Sequence, residues 1–267
     1  MSPGRDSADA AEFRRQDGSA FRFDWGEDGL RALGPTSDVV VIVDVLRFST
    51  SVSAAIEAGA TVVPARDADE AATIARERGL LLAGPRGEGP ASLSPTDLLC
   101  LGPGSRVVLA SLDGSSLSCL AVDIGVRYVL AGSFRNAAAT ASAAAERAGA
   151  AGVISVIAAG ERCPGDGTVR AAVEDLLGAG AVLAALDPAA AVSGRRCSPE
   201  AAAARAAFVA ARPQLFDSLS RCESGRELEA RRCGDDVAMA AACDVTSWAA
   251  VLEGGAFVAR SPGRLTG

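Results

Sequence analysis

Asp44 closes a run of five valine and isoleucine residues, Val39-Val40-Val41-Ile42-Val43, and Arg47 and the hydroxyl cluster Ser49-Thr50-Ser51 follow within a few positions. A carboxylate so placed is costly to bury unless it is paired or bound to a cation. Arg47 offers a structural ion pair, and a bound cation offers the functional alternative. Perturbed acids serve both purposes in proteins. Hydroxyls, an arginine and backbone N–H groups where a strand hands over to a helix suit an anion, because the positive end of the helix dipole lies there too. Together these residue types describe a small site in which a cation bridges to an anion.

The elements around Asp44 must hold that arrangement. The β-branched run reads as a buried strand over Val39–Val45, followed by a helix to Ala58 with Ser49 or Thr50 as N-cap and Gly59 as its stop. Further strands are expected at Thr61–Pro64, Leu80–Ala83, Val107–Ala110, Tyr128–Ala131 and Val153–Ala158. Helices are expected at Ala68–Arg78, Leu117–Ala121, Ala137–Ala148, Val173–Leu186, Pro199–Ala211, Ser224–Arg231 and Asp235–Ala242, and a Gly/Pro-rich loop runs to Gly104. A hairpin-like pair, Trp248–Leu252 and Ala256–Ala259, turns at Glu253-Gly254-Gly255 and would extend the sheet antiparallel. Strands alternating with helices imply a three-layer α/β/α fold with a mostly parallel or mixed sheet. Residues 1–18 read as a polar, disordered tail. Residues 19–267 read as a single domain, whose only internal seam would be Pro188–Ala211.

Four strand ends then carry polar or glycine-bearing turns: Asp44 with Ser49-Thr50-Ser51, Asp113-Gly114-Ser115-Ser116, Gly132-Ser133-Phe134-Arg135-Asn136, and Ala159-Gly160-Glu161. Ligands of open α/β sheets bind at such carboxyl ends. No phosphate-loop or dinucleotide fingerprint is present. Each turn also has a plain structural reading: Ser49 and Asn136 as caps, Asp113-Gly114 as a turn, Glu174-Asp175 as acids at a helix start, and Arg86 as a loop charge.

Bulk properties exclude several functions. The chain of 267 residues has no histidine and no lysine, so all 26 basic residues are arginine. Histidine-based nucleophilic machinery is therefore ruled out. Acid–base chemistry falls to Asp and Glu, with Tyr128 and the cysteines as distant candidates. A net charge of −7 argues against nucleic acid and anionic membrane surfaces. No apolar run spans a bilayer and no secretory h-region opens the chain, which points to the cytoplasm. Seven scattered cysteines without a CxxC pair read as reduced structural thiols.

Five segments, Val41–Ser51, Leu82-Ala83-Gly84-Pro85-Arg86, Gly132–Ala137, Ala159-Gly160-Glu161 and Val173–Ala181, resemble in order and spacing the 2-phosphosulfolactate phosphatase (ComB-like) family, with agreement from about Phe23 to Arg260. The resemblance implies a Mg²⁺-dependent phosphatase acting on phosphate monoesters of 2-hydroxy acids. On that reading Asp44, Asp175 and Glu174 hold Mg²⁺, with Asp44, Arg47 and Asp175 as the catalytic set. Arg47, Ser49, Thr50, Ser51, Asp113, Gly114, Ser115, Ser116, Ser133, Asn136 and Gly160 face the phosphoryl group, and Arg86 clamps the substrate's second anion. Three departures stand out. Asp113-Gly114-Ser115 replaces the family's common Asn-Gly-Thr, Gly84-Pro85-Arg86 replaces Gly-Glu-Arg, and Ala158 stands where some members carry cysteine. They leave open a different phospho-acid substrate or a non-catalytic anion-binding protein. The expected partner is a small phosphorylated 2-hydroxy acid, with no nucleic acid and no membrane, and a homodimer is compatible with the chain.

Overall fold

A strand that is apolar on both faces needs helices on both faces to cover it, and every residue of Val39–Val43 is buried. The computed structural model describes residues 14–163, 167–186 and 197–261. Its strands are β1 (Phe21–Trp25), β2 (Val39–Val43), β3 (Thr61–Ala65), β4 (Leu81–Leu82), β5 (Arg106–Ala110), β6 (Tyr128–Ala131), β7 (Ile154–Ala158), β8 (Glu161–Arg162), β9 (Val169–Arg170), β10 (Ala249–Glu253) and β11 (Ala256–Arg260). The α-helices are α1 (Gly26–Leu33), α2 (Phe48–Glu57), α3 (Ala68–Arg78), α4 (Pro95–Leu99), α5 (Gly114–Asp123) and α6 (Ala137–Ala148). They continue as α7 (Val173–Leu186), α8 (Pro199–Ala211), α9 (Leu215–Arg221), α10 (Glu223–Ala230) and α11 (Gly234–Ala240).

The main sheet runs β1-β7-β2-β6-β10-β11-β3-β5-β4. It is a three-layer α/β/α arrangement with a largely parallel, mixed sheet. Val39, Val41 and Val43 face α6, α7 and α8, where Phe134, Leu177, Val182 and Phe208 fill the layer. Val40 and Ile42 face Leu30 and Leu33 of α1 and Leu117 and Ala121 of α5. Phe48, Val52 and Ile56 of α2 pack on Val62, Val107, Leu109 and Phe257.

The hairpin β10–β11 does not extend an outer edge. It lies in the middle of the sheet, antiparallel to β6 on one side and to β3 on the other. The parallel block β3-β5-β4 therefore runs opposite to β1-β7-β2-β6. In a flat sheet β2 and β5 would stand roughly 24 Å apart, five strand spacings, with their carboxyl ends at opposite edges. Twist of about 20–25° per step turns the second block through more than 90° over that distance. The two carboxyl ends meet: Gly114 N–H, just past β5, donates to Asp44 Oδ2, just past β2, at 3.0 Å.

Local readings need three corrections. Residues 1–13 of the expected tail lie outside the described residues, but the chain is already tied down at Gln16. Its side chain brackets Phe23, donating to the carbonyl at 2.7 Å and accepting from the N–H at 3.2 Å. β1 and α1 extend the fold before Val39, and the alternation of Phe21, Phe23 and Trp25 is the signal for the strand. The Gly/Pro-rich loop contains the short helix α4, started by Pro95 after Ser94. Part of the seam, residues 188–196, also falls outside the described residues. Among the described residues no helix is long and apolar enough to cross a membrane.

Candidate active site

The turn after β2 is clasped by its own hydroxyls. Ser49 Oγ donates to the Asp44 carbonyl at 2.7 Å and accepts from its N–H at 3.1 Å. Thr50 Oγ1 donates to the Val45 carbonyl at 2.7 Å, and Ser51 Oγ donates to the Leu93 carbonyl at 2.6 Å. α2 begins at Phe48 with Arg47 at its N-cap, so neither Ser49 nor Thr50 caps it. These hydroxyls shape the turn instead.

What the turn presents is the Asp44 carboxylate. Oδ1 accepts the Phe48 N–H at 3.2 Å, and Oδ2 accepts the Gly114 N–H at 3.0 Å and Ser111 Oγ at 3.2 Å. Gly114 must be glycine for this approach, since an added Cβ would stand 2.6 Å from Phe48 Cδ1 and 2.7 Å from Asp44 Oδ2. Asp175 arrives from the first turn of α7. Its Oδ1 accepts the Val45 N–H at 2.7 Å and its Oδ2 the Gly160 N–H at 2.9 Å. Gly178, one turn on, lets α7 come close: a Cβ there would lie 2.5 Å from Val45 Cγ2. Thus Asp175 does more than complement a helix dipole; it ties the turns after β2 and β7 together.

Asp44, Arg47, Ser111, Asp113, Gly160, Glu161, Glu174 and Asp175 line one cleft of about 450 Å³, together with Arg162, Ser224, Glu227 and Arg231. Arg47 does not pair with Asp44. Its Nη1 lies 2.6 Å from Oδ2 of Asp236, a residue with 0% exposure. Among the described residues Asp44 and Asp175 have no arginine partner. Burial, then the charges of Asp113 and Glu161, pushes Asp44 up to about 7, against the N–H groups of Gly114 and Phe48. Asp175 is raised by burial, then by Asp44 and Glu174. Burial also raises Asp113, with Arg162 opposing, and it raises Glu161, with Asp113 adding to it. The acids destabilise one another, which is what an added cation would relieve.

This has a consequence for stability. A carboxyl whose folded pKa lies above its ordinary 3.8 stabilises the fold fully at low pH. That contribution is lost as pH climbs toward about 7. With no histidine in the chain to titrate there, the loss contributed by Asp44 falls between its ordinary 3.8 and about 7. The melting temperature in chelator is expected to fall over that interval, with a shallower slope in Asp44→Asn. A melting temperature that rises over the interval contradicts this account.

Several residues expected at the site are engaged elsewhere. Ser115 Oγ donates to the Ala65 and Leu109 carbonyls and accepts the Ala65 N–H. Ser116 Oγ donates to the Leu112 and Asp113 carbonyls. Asn136 Oδ1 accepts both the N–H and the hydroxyl of Ser133, while Nδ2 donates to the Ala131 carbonyl. Their structural readings describe their contacts. Arg86 does not line the cleft. It forks onto Asp235, with Nη1–Oδ1 at 3.0 Å and Nη2–Oδ2 at 2.5 Å. Tyr128 lies under Arg127 and Arg147. Cys222 is pushed up to about 12 by burial and by Glu174, which keeps it a thiol.

Sequence reasoning missed Asp236, Ser111, Arg162 and Arg231, and it used Glu161 only as part of a turn. Asp236 carried a faint signal, two adjacent acids opening a helix. Ser111 precedes the flagged Asp113 by two positions. Arg231 carried no local signal.

The sequence model of the family described as 2-phosphosulpholactate phosphatase matches residues 30–255. That span holds every cleft residue named above, together with Asp236. No curated protein matches the chain.

Proposed function

Because the chain belongs to the 2-phosphosulpholactate phosphatase family, phosphoric monoester hydrolases, we propose that this cleft hydrolyses the phosphate ester of a 2-hydroxy acid of the 2-phosphosulpholactate type with Mg²⁺ bound. One observation carries the reading. Asp44 and Asp175, 6% and 3% exposed, face one cleft with Asp113, Glu161 and Glu174, and among the described residues neither has an arginine partner. Among the described residues no three His, Cys, Asp or Glu side chains form a ready-made metal cluster. Mg²⁺ needs less than that, commonly one or two carboxylates with water and substrate oxygens completing its octahedron. Asp44 and Asp175, with Glu174 beside them, supply such a donor set. When bound, the ion contributes the positive charge that neutralises phosphoryl oxygens.

The chain's own groups account for the rest. Backbone N–H groups of Phe48, Gly114, Val45 and Gly160 orient the two carboxylates, which line the cleft. Arg47 directs its remaining N–H groups to the phosphoryl oxygens. Asp113 and Glu161, whose pKa values are raised, have the proton affinity to accept a proton from the attacking water and return it to the leaving hydroxyl oxygen. Water and ester thus become hydroxy acid and orthophosphate. Arg86 does not line the cleft; Arg162, ion-paired with Asp113, and Arg231, ion-paired with Glu227, do, and they are the guanidinium groups placed to meet the substrate's carboxylate or sulfonate.

Phosphate release from a panel of 2-phospho-hydroxy acids, including 2-phosphosulpholactate, tests this. Turnover is expected with Mg²⁺ and is expected to vanish in EDTA. Full turnover in chelator overturns the metal reading. Binding without release across the panel, Mg²⁺ included, makes the protein an anion binder.

A further inference from the structure

We propose that Asp236 is the positioning residue for Arg47, a buried carboxylate that holds the guanidinium aimed into the cleft. The proposal rests on the reading of Arg47 as a phosphoryl ligand. Asp236 sits in the first turn of α11, almost 190 residues from Arg47, and its side chain has no exposure. Its two oxygens are divided between two tasks. Oδ2 takes Arg47 Nη1 at 2.6 Å, while Oδ1 accepts Ser94 Oγ at 2.5 Å and Thr96 Oγ1 at 3.3 Å. Among the described residues Asp236 is the only hydrogen-bonding or ion-pair partner of the Arg47 guanidinium, whose side chain is 18% exposed. The other N–H groups of that fork are left for an anion.

The surroundings explain why such an anchor is needed. Arg47 shares its cleft with Asp44, Asp113, Glu161, Glu174 and Asp175. A guanidinium on a flexible stem there would collapse onto the nearest unpaired carboxylate, occupying oxygens that a cation needs and removing itself from the substrate. Asp236 withholds it from them. The anchor is itself braced. Arg86 forks onto Asp235, the preceding residue, and its Nη1 stands 3.9 Å from Asp236 Oδ1. Ser51 of α2 ties down the Leu93 carbonyl next to Ser94. Three segments far apart in sequence, the starts of α2, α4 and α11, converge on one carboxylate.

Steady-state kinetics on 2-phosphosulpholactate with Mg²⁺ test this in four proteins: the wild type, Arg47→Ala, Asp236→Asn and the double variant. Arg47→Ala is expected to lower kcat/KM by about 10²–10³-fold, the loss typical of one preorganised donor. Asp236→Asn is expected to lower it by about 10–10²-fold, as loss of an orienting partner does at comparable sites. The double variant is expected to be no worse than Arg47→Ala alone, since Asp236 acts through Arg47. The inhibition constant of inorganic phosphate should follow the same pattern, which a general packing defect would not produce. If Asp236→Asn fails to fold, Ser94→Ala with Thr96→Val strips the anchor's other donors and keeps the ion pair. Several-fold loss that disappears in the Arg47→Ala background is then expected. Additive losses, or a folded Asp236→Asn with wild-type kcat/KM, overturn the positioning role. Arg47→Ala with unchanged kcat/KM overturns the phosphoryl-ligand reading instead, and the proposal with it.

Discussion

Asp44→Asn is expected to lower kcat on a phosphorylated 2-hydroxy acid by at least about 10²-fold while the protein stays folded. The substitution preserves the side chain's shape, removes its charge and replaces one acceptor oxygen by an amide donor. One oxygen remains to accept the Gly114 N–H that Asp44 now takes at 3.0 Å. The new amide group would then point at the Phe48 N–H, donor against donor, a mismatch worth roughly 1–3 kcal/mol. Relief of the buried, mutually repelled charge works the other way, because Asp44 is held up to about 7 by burial and by Asp113 and Glu161. Stability should therefore change little at neutral pH while turnover collapses. Circular dichroism and a melting curve establish folding, and single-turnover phosphate release reads the chemistry. A folded Asp44→Asn with near-normal kcat would remove the carboxylate from the mechanism. Asp175→Asn should behave similarly in activity, since both carboxylates serve one cation in the proposed site.

Local structure was written plainly in this sequence where short-range physics decides it. The bounds of Ala137–Ala148, Val173–Leu186 and Pro199–Ala211 coincide with those of α6, α7 and α8. Alanine-rich helical stretches bounded by Gly149 or opened by Ser198-Pro199 leave the backbone few alternatives. The place of the final hairpin was not legible. Trp248–Leu252 and Ala256–Ala259 read as paired strands, close to β10 and β11, but nothing local tells them to enter between β6 and β3. That insertion reverses half the sheet, and only its twist returns the end of β5 to Asp44.

The site divides along the same line. Asp44 was readable because a carboxylate ending an apolar run is expensive wherever the chain goes. Asp175 was ambiguous on its own residues, since an acid in a first helical turn has an ordinary use, and only its bonds to Val45 and Gly160 show the other one. The hydroxyls of Ser49, Thr50 and Ser51 read as anion donors or caps, because a serine that clasps its own turn and one that binds phosphate have the same name. Arg86 was read as the second-anion clamp because a fork fits a carboxylate. The carboxylate it meets is Asp235 of this chain.

Gly114→Ala should cost both stability and activity, and the two losses should come together. The added methyl would stand 2.6 Å from Phe48 Cδ1, 2.7 Å from Asp44 Cβ and 2.7 Å from Asp44 Oδ2, and all three neighbours are confined. Phe48, the first residue of α2, is fully buried in the cluster with Val62, Val107, Leu109 and Phe257, and Asp44 is fixed by the clasped turn. Room can come only from moving the start of α5 away from the end of β2. Overpacking of this kind typically costs about 1–3 kcal/mol, which for a chain of this size lowers Tm by roughly 2–4 °C for each kcal/mol. The same displacement breaks the Gly114–Asp44 hydrogen bond and shifts the carboxylate on which the proposed reaction depends. A misplacement near 1 Å can lower turnover by about 10²-fold. Gly89→Ala is the matched control, because a methyl there meets nothing within 4 Å; it should change neither quantity. If Gly114→Ala retains both the wild-type melting temperature and wild-type kcat, the ends of β2 and β5 are not locked together as their contact indicates. Loss of kcat with an unchanged melting temperature would place the flexibility in Asp44 itself. The clasp by Ser49 would then be weaker than its two hydrogen bonds imply.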